Sequence, residues 1–232
     1  MPADFAKQLL SRKMITGVFA GALAMSLVCS LSIQHGHADV PVAASAAQIQ
    51  PLRSGQGAPG FVVETVSGKP FRFEPDGLER PVILISFRGG WCPYCNMHLS
   101  ELRHVLPQIN DMGIDVMFLS GDRPELLYES LDEDTLADID GLDYRIYSDA
   151  KAGAAMAFGI AFRVADKTIE GRRKKEQDIG GSSMELHGVL PVPSVFAVDT
   201  QGVIRFVYTN ADYKVRLPAD ELLAVARDLA SE

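Results

Sequence analysis

Cys92-Pro93-Tyr94-Cys95 is the stretch of this 232-residue chain whose residue types and spacing point most directly to chemistry. Thiolate, not thiol, is the attacking species, and an ordinary cysteine with a pKa of about 8.5 is mostly protonated near neutrality. The neighbouring residues are of the kind that lower that value. An apolar run from Pro81 to Phe87 leads through Arg88-Gly89-Gly90-Trp91 into Cys92. Pro93 then suits the first position of a helix, where its missing N–H is not needed. Cys92 is therefore expected at the N-cap, where free backbone N–H groups and the positive end of the helix dipole stabilise charge on sulfur. It reads as an exposed, acidic nucleophile. Cys95, about one turn further on, is placed to attack a mixed disulfide on Cys92 and release a reduced partner.

Other uses of such a pair compete with this one. Two cysteines at this spacing form half of a zinc site, and His98 and His104 follow on the same helix, but there is no second C-x-x-C pair to complete the tetrahedron. No metal and no cofactor is expected. A purely structural disulfide across three residues closes too small a loop to restrain the unfolded chain much. His98 reads as a solvated helix residue rather than a general base, Trp91 as packing beside the sulfur, and Tyr94 as controlling access. The third cysteine, Cys29, lies in an N-terminal stretch of a different character.

That stretch carries Lys7, Arg12 and Lys13, then an apolar run from Met14 to about Ile33, then the small-residue sequence Gly36-His37-Ala38. The order is that of an export signal spanning 1–38, cleaved after Ala38. A run of about 20 apolar residues would also serve as an uncleaved membrane anchor. Either way the rest of the chain is expected in an extracytoplasmic, periplasm-like compartment. Losing Cys29 would leave two cysteines, far too few for a disulfide-stapled scaffold. A net charge of −8 argues against a surface that tracks phosphates, so nucleic acid is not an expected partner.

The elements that must position the pair follow the hydrophobic periodicity. Residues 39–57, rich in Ala, Gln, Pro and Gly, read as a linker, with one domain over 58–232. Phe61–Thr65 and Phe71–Phe73 flank Ser67-Gly68-Lys69-Pro70 as an N-terminal hairpin. Pro81–Phe87 reads as a central strand covered on both faces. Leu99, Leu102, Val105, Leu106 and Ile109 recur at helical spacing and predict one helix ending before Gly113. Further strands are expected at Ile114–Leu119 and Tyr144–Tyr147, and helices at Pro124–Leu131 and Ala150–Phe158. Ser194–Val198 and Val203–Tyr208 flank a hairpin turn, and Pro218–Leu229 closes with a helix. Arg163–His187 is polar, with Arg172-Arg173-Lys174-Lys175 at its centre, and reads as a solvated inserted loop. The sum is an α/β fold, a mixed central sheet flanked by helices.

At the site itself, Phe87-Arg-Gly-Gly-Trp-Cys-Pro-Tyr-Cys-Asn96 resembles the active-site stretch of peroxiredoxin-like proteins. These belong to the alkyl hydroperoxide reductase/thiol-specific antioxidant family of the thioredoxin superfamily. The resemblance continues through Pro193–Asp199, Gly202–Phe206 and Asp212–Arg216. It implies a thioredoxin-like fold and a thiol-dependent antioxidant enzyme whose partners are a hydroperoxide or disulfide and a thiol reductant, thioredoxin-like or other. Laid on the family's P-x-x-x-T-x-x-C motif, this chain has Arg88 for Pro, Cys92 for Thr and Cys95 at the peroxidatic position. Pro193 stands where the peroxide-activating Arg is usual, which leaves Arg88 as the candidate cation. In thioredoxin and glutaredoxin a cis-proline occupies the Pro193 position, so a cis Val192–Pro193 bond is expected, offering the Val192 backbone to an incoming chain. Two functions remain: an exported oxidoreductase cycling Cys92 and Cys95, or a binding or chaperone-like module with an idle disulfide. Oligomeric state is not legible.

Overall fold

The computed structural model describes residues 42–129, 131, 133–135, 145–175 and 177–231. The expected export segment at 1–38, Cys29 included, lies outside them, as do parts of the expected elements at 124–131 and 144–147. Among the described residues, no helix is long and apolar enough to cross a membrane.

Strand β3 (Val82–Phe87) is the run of six apolar and small residues from the sequence, and all six are buried. It lies near the middle of the sheet because both its faces must be covered. Alternation sends Ile83, Ile85 and Phe87 to one face and Val82 and Leu84 to the other, and each set anchors its own core cluster. Beside β3 run β4 (Asp115–Ser120), parallel to it, and β8 (Ser194–Val198), antiparallel, so that Ile85 lies between Phe118 and Val195. Strand β5 (Arg145–Ser148) follows β4 in parallel. The N-terminal hairpin of β1 (Phe61–Glu64) and β2 (Pro70–Phe73) adds to β5, and β9 (Ile204–Thr209) forms the other edge. The order is β2-β1-β5-β4-β3-β8-β9.

Helices cover both faces. The first core cluster packs α1 (Pro93–Leu102), α2 (Leu106–Asp111) and α6 (Ala219–Ala230) against β3 and β4 through Leu99, Leu102, Ile109, Leu222 and Ala226. The second gathers the hairpin and α3 (Gly153–Ala157) around Phe158, which lies 4.6 Å from Phe196 between ring centroids.

Four expectations need correction. The single helix expected after Cys92 is two, because Pro107 has no N–H for the Arg103 carbonyl and its ring crowds the preceding turn. Pro124–Leu126 forms one 3-10 turn rather than the start of a longer helix. Residues 42–57 are laid along the domain instead of spanning free: Ala43 exchanges backbone hydrogen bonds with Ala161 and Arg163, Leu52 N–H donates to Phe158, and Gly55 N–H donates to Ile204. Apolar Val42, Ile49 and Leu52 pack on the second core, a role that their Ala- and Gln-rich surroundings hide.

The fourth concerns Arg163–His187, whose described residues form packed elements rather than a solvated loop. Strands β6 (Ala161–Arg163) and β7 (Val189–Pro191) pair as a separate ribbon, with Phe162 opposite Leu190. Between them lie α4 (Asp166–Lys174) and α5 (Ser183–His187). Ser182 caps α5 by accepting the Glu185 N–H. Ile179, Met184 and Leu190 form a small third cluster against Phe162 and Trp91. Arg123 fastens the segment to the body: its guanidinium pairs with Asp178 at 2.9 Å and donates to the Gly180 carbonyl. A few apolar residues at scattered positions suffice to dock a segment whose composition is otherwise polar.

Candidate active site

The C-terminal end of β3 delivers the loop Arg88-Gly89-Gly90-Trp91, and two side chains pin it. Asp122, just past β4, accepts the Gly90 N–H at 2.8 Å, and Asn96 from the first turn of α1 donates to the Gly90 carbonyl at 2.8 Å. Gly89 has φ +147, and a Cβ there would lie 2.5 Å from both Asp122 Oδ1 and Trp91 Nε1. Only glycine fits at that crossing. The loop then turns into the helix as its sequence requires. Cys92 is the N-cap with extended backbone, Pro93 occupies the first helical position, and the Cys92 carbonyl accepts the Cys95 and Asn96 N–H groups at 2.8 and 3.2 Å.

Both cysteines are free thiols in this structure. Their acidities are driven in opposite directions. The thiol and the backbone N–H of Cys95 donate to the Cys92 sulfur, and Arg216 and Arg88 add positive charge. Together these outweigh burial and lower the Cys92 pKa from 9.0 to about 6. Burial, and then the hydrogen bond to Cys92 and its charge, push the Cys95 thiol well above its ordinary value. Arg216 Nη2 donates to Cys95 Sγ at 3.5 Å. Arg88 is sandwiched between aromatic rings, 4.2 Å from the Tyr213 centroid and 5.5 Å from that of Phe162. The site thus sets an acidified thiol beside one whose proton is held, with two guanidinium groups nearby.

The model of the AhpC/TSA family matches residues 54–207 of this chain. The chain belongs to the AhpC/TSA family. Among curated proteins it is 20% identical over 153 residues to the thiol-disulfide oxidoreductase ResA of Bacillus thuringiensis, covering 66% of this chain and 68% of that one. Among solved structures it resembles a peroxiredoxin-like protein from Aquifex aeolicus, with a TM-score of 0.59, 17% identity and coverage of 78% of this chain and 89% of that one. It also resembles the peroxidoxin BcpB of Mycobacterium tuberculosis, with a TM-score of 0.54, 19% identity and coverage of 77% and 98%. The fold is thioredoxin-like, and this AhpC/TSA protein is a thiol-dependent oxidoreductase.

Within this AhpC/TSA site the residues singled out in sequence do not all behave as expected. Cys92, expected to be exposed, is 2% exposed and sits in the first core cluster. Arg88 lies near both sulfurs, as a candidate cation should. Trp91 packs beside the pair, and its outer face is covered by Arg172 of α4, whose guanidinium carbon lies 4.3 Å from the ring centroid. Tyr94 packs edge-on to Tyr213 at 5.6 Å. No cis peptide bond occurs among the described residues, so Val192–Pro193 is trans. Val192 is fully buried, its N–H donates to Ile160 and its carbonyl accepts the Ser194 hydroxyl. The reason is the β6–β7 ribbon, which draws the Val192 backbone into its own hydrogen bonding and away from an incoming chain.

His98 is corrected too: it is buried, its ring Nε2 lies 3.0 Å from the Leu217 carbonyl, and burial lowers its pKa to about 4. It is a neutral core histidine. The residue that sequence reasoning missed is Arg216. It stands 121 positions beyond Cys95, reaches back from the loop before α6, and together with Pro193 and His98 lines a small void of about 10 Å³. Its only sequence signal is its place at the end of the Asp212–Arg216 stretch that resembles the family. Among the described residues no group of three or more His, Cys, Asp or Glu could hold a metal ion.

Proposed function

We propose that Cys92 and Cys95 carry a dithiol–disulfide cycle that reduces small hydroperoxides or disulfides. The observation that carries this reading is the placement of Cys92 at the N-cap of α1, with Cys95 one turn inside it and Arg216 3.5 Å from Cys95 Sγ, a geometry that drives the two thiols apart in acidity, Cys92 down to about 6 and Cys95 up. A pair kept only as an idle disulfide would have no use for that difference. Near neutral pH, Cys92 is then the thiolate and Cys95 holds the proton.

With a disulfide RSSR′, the Cys92 thiolate attacks one sulfur, the S–S bond breaks, and R′S⁻ leaves with the electron pair. Cys95 then gives up its proton, most simply to that leaving thiolate, and attacks the Cys92 sulfur, expelling RS⁻ and closing the Cys92–Cys95 bond. With a hydroperoxide, the thiolate takes the outer oxygen, the alkoxide leaves and is protonated to the alcohol, and Cys92 becomes a sulfenic acid. Attack by Cys95 then expels water. Both routes end in the same internal disulfide, which an external thiol reductant must reopen. Arg216, 3.5 Å from Cys95 Sγ, stabilises the second thiolate as it forms.

Small substrates suit the site because Cys92 is almost wholly covered and the Val192 backbone is already engaged. The charged, apolar and small-residue order of the first 38 residues supports export, with the oxidoreductase domain over 58–232 facing an extracytoplasmic compartment. Mixing reduced Cys95→Ser with a small disulfide should trap an adduct on Cys92, visible by mass spectrometry, whereas Cys92→Ser should trap none. An adduct on Cys95 in the Cys92→Ser protein would reverse the assignment.

A further inference from the structure

The charge of the site does not balance. Arg88 and Arg216 both act on Cys92 and Cys95, and burial together with the charge of Arg216 disfavours the Arg88 cation, yet neither arginine forms an ion pair with a carboxylate among the described residues. Arg88 is 9% exposed, and its Nε is buried without a hydrogen-bond partner; the same is true of Arg216 Nε. Arg88 packs against the faces of Tyr213 and Phe162, and its terminal nitrogens donate to no described residue. Buried guanidinium groups ordinarily sit opposite carboxylates, because desolvating a cation is costly unless an anion compensates. Among the described residues the anion set against both guanidinium groups is the Cys92 thiolate, one negative charge against two positive ones.

The imbalance grows during the reaction. When Cys92 attacks, its negative charge passes to the departing group, and the two guanidinium groups are left facing a neutral mixed disulfide or sulfenic acid. A substrate that brings its own anion restores the balance at the step where it is needed.

We infer that Arg88 and Arg216 form an anion subsite, and that the preferred substrate carries a carboxylate close to its reacting S–S or O–O bond. Arg88, with a planar fork that has no acceptor among the described residues, is the residue that receives it. Arg216 shares its charge between that carboxylate and Cys95. The inference rests on the two-cysteine reading above and adds the chemical class of the substrate.

The test compares two disulfides of similar size, dithiodiglycolate with two carboxylates and bis(2-hydroxyethyl) disulfide with none. The wild-type protein should favour the diacid in kcat/KM by about tenfold or more, the scale of a charge-assisted hydrogen bond. Arg88→Gln should collapse that ratio and Arg88→Lys should keep part of it. Any loss of thiolate at Cys92 affects both substrates and cancels in the ratio. The same comparison with tert-butyl hydroperoxide and 2-hydroperoxy-2-methylpropanoate, whose carboxylate sits on the carbon that bears the O–O group, tells which reacting bond the subsite serves; preference in either pair supports it. Thiodiglycolate, a thioether that cannot exchange, should inhibit the wild-type protein competitively and raise the Cys92 titration midpoint, a measurement that needs no variant. Equal turnover of charged and neutral substrates, a ratio unchanged in Arg88→Gln, or no effect of thiodiglycolate would overturn the subsite while leaving the two-cysteine cycle standing. Inertness towards all four substrates would overturn both.

Discussion

Replacing Cys95 by Ala should raise the pKa of Cys92, and the size of the rise follows from the geometry. The drop at Cys92 from 9.0 to about 6 corresponds to about 4 kcal/mol favouring the thiolate. Its first cause is the hydrogen bond donated by the Cys95 thiol, and a bond to a charged group contributes roughly 1.5–3 kcal/mol. Cys95→Ala removes that donor but keeps the backbone N–H and both arginines, so the Cys92 midpoint should climb by about 1–2 units, to about 7–8. Cys95→Ser, whose hydroxyl still donates, should move it much less. Absorbance of the thiolate near 240 nm, or iodoacetamide alkylation rate against pH, reads the midpoint directly. The same difference appears in stability. A folded pKa below the unfolded one stabilises the reduced protein fully above the unfolded value of about 8.5, and this contribution is lost as pH falls through about 6. Urea denaturation of reduced wild type should therefore show stability falling between those limits, with a shallower fall in Cys95→Ala. An unmoved midpoint in Cys95→Ala, or equal shifts in the Ala and Ser variants, would refute the hydrogen bond as the main cause.

Three further perturbations test the surroundings. Arg216→Met removes the cation 3.5 Å from Cys95 Sγ, so closure of the internal disulfide should slow by about tenfold or more and mixed disulfide on Cys92 should accumulate in quenched samples. Arg172→Ala removes the stack on Trp91, worth about 1 kcal/mol, so amide exchange across Asp166–Lys174 and alkylation of Cys92 should both quicken severalfold. Gly89→Ala places a methyl 2.5 Å from Asp122 and Trp91 at a φ that alanine rarely adopts, and should cost about 3 kcal/mol or more in chemical denaturation.

What the sequence displays is what short-range pattern controls. The run Val82–Phe87 could only be a strand covered on both faces, and Cys92-Pro93 could only open a helix, so the strand–loop–helix unit that carries the two sulfurs is legible before any coordinates. The two hairpins and the C-terminal helix also fall within a residue or two of their expected positions. Contacts over long separation were not legible. Arg216 meets Cys95 across 121 residues, and Asp122 meets Gly90 across 32; nothing in local spacing announces either. The cover over Trp91 follows from the same limit, since Ile169 and Arg172 of α4 meet a small core of Ile179, Met184 and Leu190 too sparse to show as periodicity. His98 has a polar side chain on a helix, and only the fold reveals that it faces the Leu217 carbonyl. Pro107 is a different case: the break it causes was visible in principle and was masked by the apolar spacing around it.

The ribbon of β6 and β7 has an effect beyond the elements it joins. By tying Val192 N–H to Ile160, it removes the backbone rail along which an extended polypeptide would lie beside the sulfurs. An acidic thiol with such a rail exchanges with any protein disulfide that can reach it. On the proposed cycle, loss of the rail should slow exchange with folded protein disulfides far more than with small ones, and reactivity would be uncoupled from promiscuity. That would be a form of insulation: if the chain is exported as proposed, a thiolate ready for small oxidants could share a compartment with disulfide-bonded proteins and leave their bonds unshuffled.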